Sequence, residues 1–280
     1  VFRWIAVALI TTPLLAAPAA ALAQDTARTV LAAVVSGQGR PVVDVGIDDF
    51  VVSEGGQPRE VLDVHVADYP IAVVLDDRPA TAGNRAALQA AARRFIQRVG
   101  ERPIALLRLS DAAHPLASLD DPRQVVLERL SGLDDARSES TAPLDTIAHA
   151  ATTLGASGAP FSAVVVVAAG PVDATALVRG DLLPQILDSG AAVHVVQVQQ
   201  PEAVAASADP DLLRLVADQS RGQFTAIFSS TSFDAALDRL ADRLAIEMMV
   251  QYLVPADGKG GDVRVGVRLP GAHVVGLGVK

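Results

Sequence analysis

The spacing of hydrophobic positions changes along the chain, and the changes divide it. From Ile71 to Leu75 the residues IAVVL form an unbroken apolar run that meets Asp76, Asp77 and Arg78 and then Pro79. A run this short and this rich in β-branched residues predicts a buried parallel strand ending at a functional rim. Beyond it, Leu88, Ala91, Phe95, Ile96 and Val99 recur at helical spacing, with Asn84 placed to cap the helix and Arg93, Arg94 and Arg98 elsewhere on it. The alternation then repeats. Strands are predicted at Ile104–Leu109, His114–Ser118, Ala163–Val167, Ala192–Val198 and Phe224–Phe228. Helices are predicted at Asp121–Leu130, capped by Asp121 with Pro122 in its first turn, and at Thr141–Leu154, Asp173–Asp188 (bent by Pro184), Asp209–Ser220 and Ser232–Met249. Repeated β-α units imply an α/β fold, a doubly wound and mainly parallel sheet covered on both faces.

The two ends of the chain read differently. Thr29–Val35 and Val42–Val45 flank the turn cluster Ser36-Gly37-Gln38-Gly39 and predict a hairpin, and the stretch Asp48–Gln57 predicts a strand ended by the Gly55-Gly56 turn. Val61–Val66 alternates apolar and polar residues as a half-buried strand does. At the other end Met248–Val254, Val263–Leu269 and His273–Val279 are β-prone, with a turn over Asp257–Gly261. About 40 residues rarely hold a core alone, so the two ends are expected to pair into one small β sandwich. The organisation expected is an N-terminal β unit over 25–67, a central α/β domain over 68–247, and C-terminal strands over 248–280.

Composition narrows the function. A net charge of −9 leaves no basic surplus for nucleic acid, and the absence of Cys excludes disulfides, thiolate zinc sites and Cys nucleophiles. Residues 1–23 read as a signal peptide: Arg3 near the start, an apolar run from Trp4 to Leu15, and Ala21-Leu22-Ala23 before Gln24 as a cleavage site. The expectation is a secreted or periplasmic protein with no membrane span in the mature chain.

The order of segments resembles the bacterial secreted von Willebrand factor A-related proteins. The resemblance rests on Gly39-Arg40-Pro41-Val42, on Asp49-Phe50-Val51-Val52-Ser53-Glu54-Gly55-Gly56, and on the return segment around Gln251-Tyr252-Leu253-Val254. It implies a von Willebrand factor A-like domain with a metal-ion-dependent adhesion site: Asp-x-Ser-x-Ser after the first strand, a Thr from a second loop, and an Asp after the fourth strand. Magnesium takes hard oxygen ligands in octahedral array, leaving a position open for a partner's carboxylate. Here Asp76 stands as the first ligand, but Arg78 and Ala80 occupy the serine positions. Thr141 is kept in the second loop, ahead of Asp145, and Ala168-Ala169-Gly170 replaces Thr-Asp-Gly. The site reads as degenerate, with an Asp76–Arg78 contact taking the metal's structural place.

Asp77 is the other candidate substitute ligand, with Asp76, Thr141 and Asp145; the plainer reading leaves Asp77 solvated and Asp145 in a helix's first turn for macrodipole reasons. The five histidines are scattered, and His194 reads as a hydrogen-bonded core residue. Ser110, Asp111 and His114 have triad residue types but sit too close in sequence to form a relay, and no G-x-S-x-G elbow occurs. Gly258-Lys259-Gly260-Gly261 lacks phosphate-loop spacing. The expectation is a non-catalytic protein-binding or assembly domain of the cell envelope that needs no cofactor. A weak Mg²⁺-dependent adhesion domain is the alternative, and a hydrolase comes third.

Overall fold

The computed structural model describes residues 25–134, 143–172, 182–199, 212–256 and 261–279. The predicted signal peptide, Thr141, Glu139 and most of the 257–261 turn lie outside them.

Five parallel strands form the central sheet. They are β5 (Ile71–Leu75), β6 (Ile104–Arg108), β7 (Ala163–Ala168), β8 (Ala192–Val198) and β9 (Phe224–Ile227), in the order β6-β5-β7-β8-β9. Both β5 and β7 are buried along their whole length, which is why they read as continuous apolar runs. Alternate residues feed opposite faces. Ile71, Val73 and Leu75 pack into one cluster with α1 (Arg85–Arg98) and α6 (Phe233–Ala245). Ala72 and Val74 face the other, with α3 (Pro143–Gly155), α4 (Leu182–Ser189) and α5 (Leu212–Gln219). The predicted apolar set of α1 is fully buried, and α2 (Arg123–Ser131) lies beside it.

The chain ends do combine, in two antiparallel sheets. One has the order β12-β1-β10-β4 and the other β11-β2-β3, built from β1 (Thr26–Ser36), β2 (Phe50–Glu54), β3 (Gln57–Arg59), β4 (Val61–Val66), β10 (Glu247–Val254), β11 (Val263–Val267) and β12 (Ala272–Val279). Val30, Phe50, Val52, Val250 and Tyr252 share one core between them, so neither end has a core without the other. Glu54, from the stretch that carries the resemblance, is buried there. It accepts a hydrogen bond from Arg28 and lies 3.5 Å from Arg59 Nε.

Several expectations are corrected. The hairpin over 29–45 is reduced to its turn: Ser36 N–H donates to the Arg40 carbonyl at 2.8 Å and Val42 N–H to the Val34 carbonyl at 2.9 Å around a bridge from Val35 to Pro41, but Val42–Val45 forms no strand, and β1 is a central strand between β10 and β12. His114–Ser118 is not a strand but meets β6 through one bridge, Leu106 to Ala117. Asp121 does not cap α2; its carboxylate accepts from Ser118 N–H at 2.7 Å and from Arg129 at 2.9 Å. The last helix stops at Ala245, because from Met248 onward the apolar residues alternate and are drawn into the sandwich.

Candidate functional site

Parallel strands direct their carboxyl ends to one rim, where ligands of such sheets usually bind. Asp76 follows β5 directly, and its backbone N–H donates to Val167 at 3.0 Å, which ties it to the end of β7. Its carboxylate is buried and fully engaged. Oδ1 accepts from Arg78 N–H at 3.2 Å and from Arg78 Nε at 2.8 Å, and Oδ2 accepts from Arg78 Nη2 at 2.7 Å and from Ala169 N–H at 2.8 Å.

The local sequence produces this closure. An aspartate readily accepts from the backbone two residues on. Pro79 restricts the residue before it to extended backbone, and Arg78 lies at φ −62°, ψ 142°, so its side chain folds back over Asp76. The guanidinium then meets both carboxylate oxygens as a planar fork, and its Nη1 donates to the Pro171 carbonyl at 2.9 Å. The Asp76 hydrogen bond is the main cause of an upward shift in the Arg78 pKa, against the effect of burial. Thr81 Oγ1 donates to the Arg78 carbonyl at 2.9 Å, and Asn84 Nδ2 to the Ala169 carbonyl at 3.1 Å. Asn84 does occupy the position before α1, but its side chain makes no cap bond and ties two rim loops together instead.

Asp77 is not solvated. Its side chain is fully buried, turned toward the loop after β6, where it accepts from Ser110 N–H at 3.0 Å and Ser110 Oγ at 2.6 Å; Arg108 Nε is 3.9 Å away. The tripeptide Asp76-Asp77-Arg78 therefore splits. Asp76 is bound toward Ala169 and Asp77 toward Ser110, since neighbouring side chains at a strand end point to opposite sides. Asp145 sits half-buried in the first turn of α3, and Thr141 lies outside the described residues. Ser110 donates to Asp77, while Asp111 pairs with His114 at 3.0 Å on the surface, so the triad residue types do not form a relay.

These donors do not fit a magnesium ion. The first ligand position has both oxygens committed to N–H groups, a cation lies on it, and Ala80 and Ala169 bring no side-chain oxygen. The groups that complete the rim, Ala169 N–H and the Pro171 carbonyl, are backbone atoms and carry no residue-type signal.

No family model matches the sequence, and no curated protein matches it. Solved structures do. A von Willebrand factor type A protein from Catenulispora acidiphila superposes at TM-score 0.52 with 11% identity, over 85% of this chain and 74% of that one. Looser likenesses include BatB from Bacteroides thetaiotaomicron, at TM-score 0.45 and 15% identity over 63% of this chain and 98% of that one. Another is proximal thread matrix protein 1 from the mussel byssus with a zinc-occupied MIDAS motif, at TM-score 0.45 and 12% identity over 69% and 49%. The first of these bears out the expected fold: the chain is von Willebrand factor A-like, with a five-stranded parallel sheet flanked by helices and antiparallel sheets beside it.

Proposed function

We propose that this chain is an exported, non-catalytic protein-binding or assembly domain of the cell envelope that engages its partner without a bridging metal. The observation that supports this reading is the closure of Asp76 by Arg78 and Ala169. In an adhesion site the ion offers a vacant coordination position to a partner's carboxylate. Here the guanidinium fills that structural role and ties the loops with directional hydrogen bonds. The rim still presents recognition groups on a rigid scaffold: Arg78 at its edge, exposed Pro79 and Pro171, and Phe228, 69% exposed just past the end of β9.

Isothermal titration of Gln24–Lys280 with Mg²⁺ and Mn²⁺, repeated on Asp76→Ala, tests the metal. Silence in both proteins is expected; binding in the first that vanishes in the second overturns the reading. Capture of a partner from envelope extract should be unchanged by EDTA and weakened by Phe228→Ala. Capture that requires a divalent ion would instead make this a weak metal-dependent adhesion domain.

A further inference from the structure

The opposite end of the parallel sheet holds a cavity of about 100 Å³, where the amino ends of β8 and β10 and the turns before β7 and β9 meet the four-stranded sheet. Its walls differ in kind. Leu31 and Phe161 supply apolar surface, and His194, Arg221 and Arg243 supply polar surface. At roughly 10–15 Å³ for a single water, the space suits several heavy atoms.

Three observations point to a ligand. First, His194 is 3% exposed, and its buried Nδ1 has no hydrogen-bond partner. Such a buried group in a native interior is ordinarily met by a protein partner, an ordered water or a ligand, and in His194 no protein atom meets it. Second, Arg221 is the one non-glycine among the described residues with left-handed backbone, at φ 64°. It is the second residue past the end of α5, where Gly222 N–H donates back to the Ala217 carbonyl at 2.9 Å, the bond of a helix stop that normally places glycine at this position. An arginine kept where glycine is unstrained holds a cation at the cavity at a conformational cost. Third, Arg221 and Arg243 stand at the exposed mouth of the cavity with no salt bridge to a carboxylate among the described residues, and Arg243 keeps N–H groups beyond the one that donates to Gln223 Oε1 at 2.7 Å. Glu247, which also lines the cavity, accepts from the Tyr69 hydroxyl, lies 3.9 Å from Arg102 Nη2 and feels the charge of Arg243, while burial pushes its pKa up and so disfavours its charged form.

We propose that this cavity binds a short-chain monocarboxylate, its oxygens accepting from Arg221, Arg243 and the His194 ring N–H and its alkyl chain lying against Leu31 and Phe161. Burial pulls the His194 pKa down to about 3, so the ring offers a neutral N–H at ordinary pH.

The test is titration of Gln24–Lys280 with butyrate, followed by calorimetry and by the imidazole NMR signals, beside butyramide, which has the same shape without the charge. Saturable butyrate binding that perturbs His194, with butyramide at least about tenfold weaker, is expected. Arg221→Gly relieves the left-handed strain, so it should keep or raise the Tm while losing butyrate affinity; Arg243→Gln should also weaken it. No saturable butyrate binding, equal binding of butyramide, or full affinity in Arg221→Gly would each overturn the proposal.

Discussion

Both ends of the five-stranded sheet bury ionisable groups, and they treat them in opposite ways. At the carboxyl-end rim Asp76 receives N–H donors from Arg78 and Ala169, and Asp77 receives both donors of Ser110. At the amino end Glu247 has the Tyr69 hydroxyl with Arg102 at a distance, burial being the largest cause of its raised pKa, and His194 Nδ1 has nothing. Buried polar groups are unfavourable unless paired. Among the described residues both rim aspartates are therefore satisfied without a ligand, while the amino end keeps unspent hydrogen-bonding capacity. In a fold whose ligands are sought at the rim, the unmet His194 Nδ1 lies at the other end.

The comparison can be broken most severely at Arg78. Arg78→Ser leaves a buried carboxylate without its cation and is expected to cost about 3–5 kcal/mol in urea unfolding. Because Ala80 and Ala169 remain, excess Mg²⁺ should not restore the loss; recovery with Mg²⁺ would mean that Arg78 alone keeps an ion out.

His194 sharpens the other side. Its folded pKa of about 3 lies below its unfolded value of 6.5, so the unfolded chain binds this proton more readily. The contribution is fully present above pH 6.5 and is lost as the pH falls toward 3, at about 1.4 kcal/mol per unit, or about 3 kcal/mol by pH 4. Denaturant titrations of His194→Leu across pH 7 to 4 should lack this part of the acid limb. Glu247 works with the opposite sign, its raised pKa giving stability that is lost as the pH rises, so the slope of the variant should tilt toward acid stability.

Smaller effects separate the two aspartates and the loop tie. Asp77→Ala leaves the Ser110 N–H buried and unpaired, and a loss of about 1–3 kcal/mol is expected in chemical unfolding; a solvated aspartate would leave stability within about 0.5 kcal/mol. Asn84→Asp should cost about 1 kcal/mol, since a carboxylate cannot donate to the Ala169 carbonyl. If Asn84 acted as a helix cap, aspartate would serve equally well and thermal unfolding would not change.

Most elements of the parallel sheet were legible because their signal is local. The bounds of β5 and β8 follow from apolar runs that end at polar residues, and the buried set of α1 follows from its helical period. The misplaced elements failed for a non-local reason. Residues 29–45 carry the marks of a hairpin, yet β1 is apolar on both faces and pairs with strands more than two hundred residues away. At the site the sequence placed Asp76 beside Arg78 and showed which ligand types were missing. It could not show that Asp77 turns to Ser110, that Asn84 bridges loops, or that His194 lacks a partner, because each depends on a different strand or loop arriving alongside.

The sequence by itself determined the α/β plan, the pairing of the chain ends and the replacement of adhesion-site side chains by Arg78, Ala80 and Ala169, since period, length and residue type are properties of the chain. Only the tertiary structure decided which polar groups are satisfied. Hydrogen bonds to Ala169 N–H and the Pro171 carbonyl use backbone atoms that every sequence possesses, and the cavity around His194 exists only where two sheets and a helix end meet.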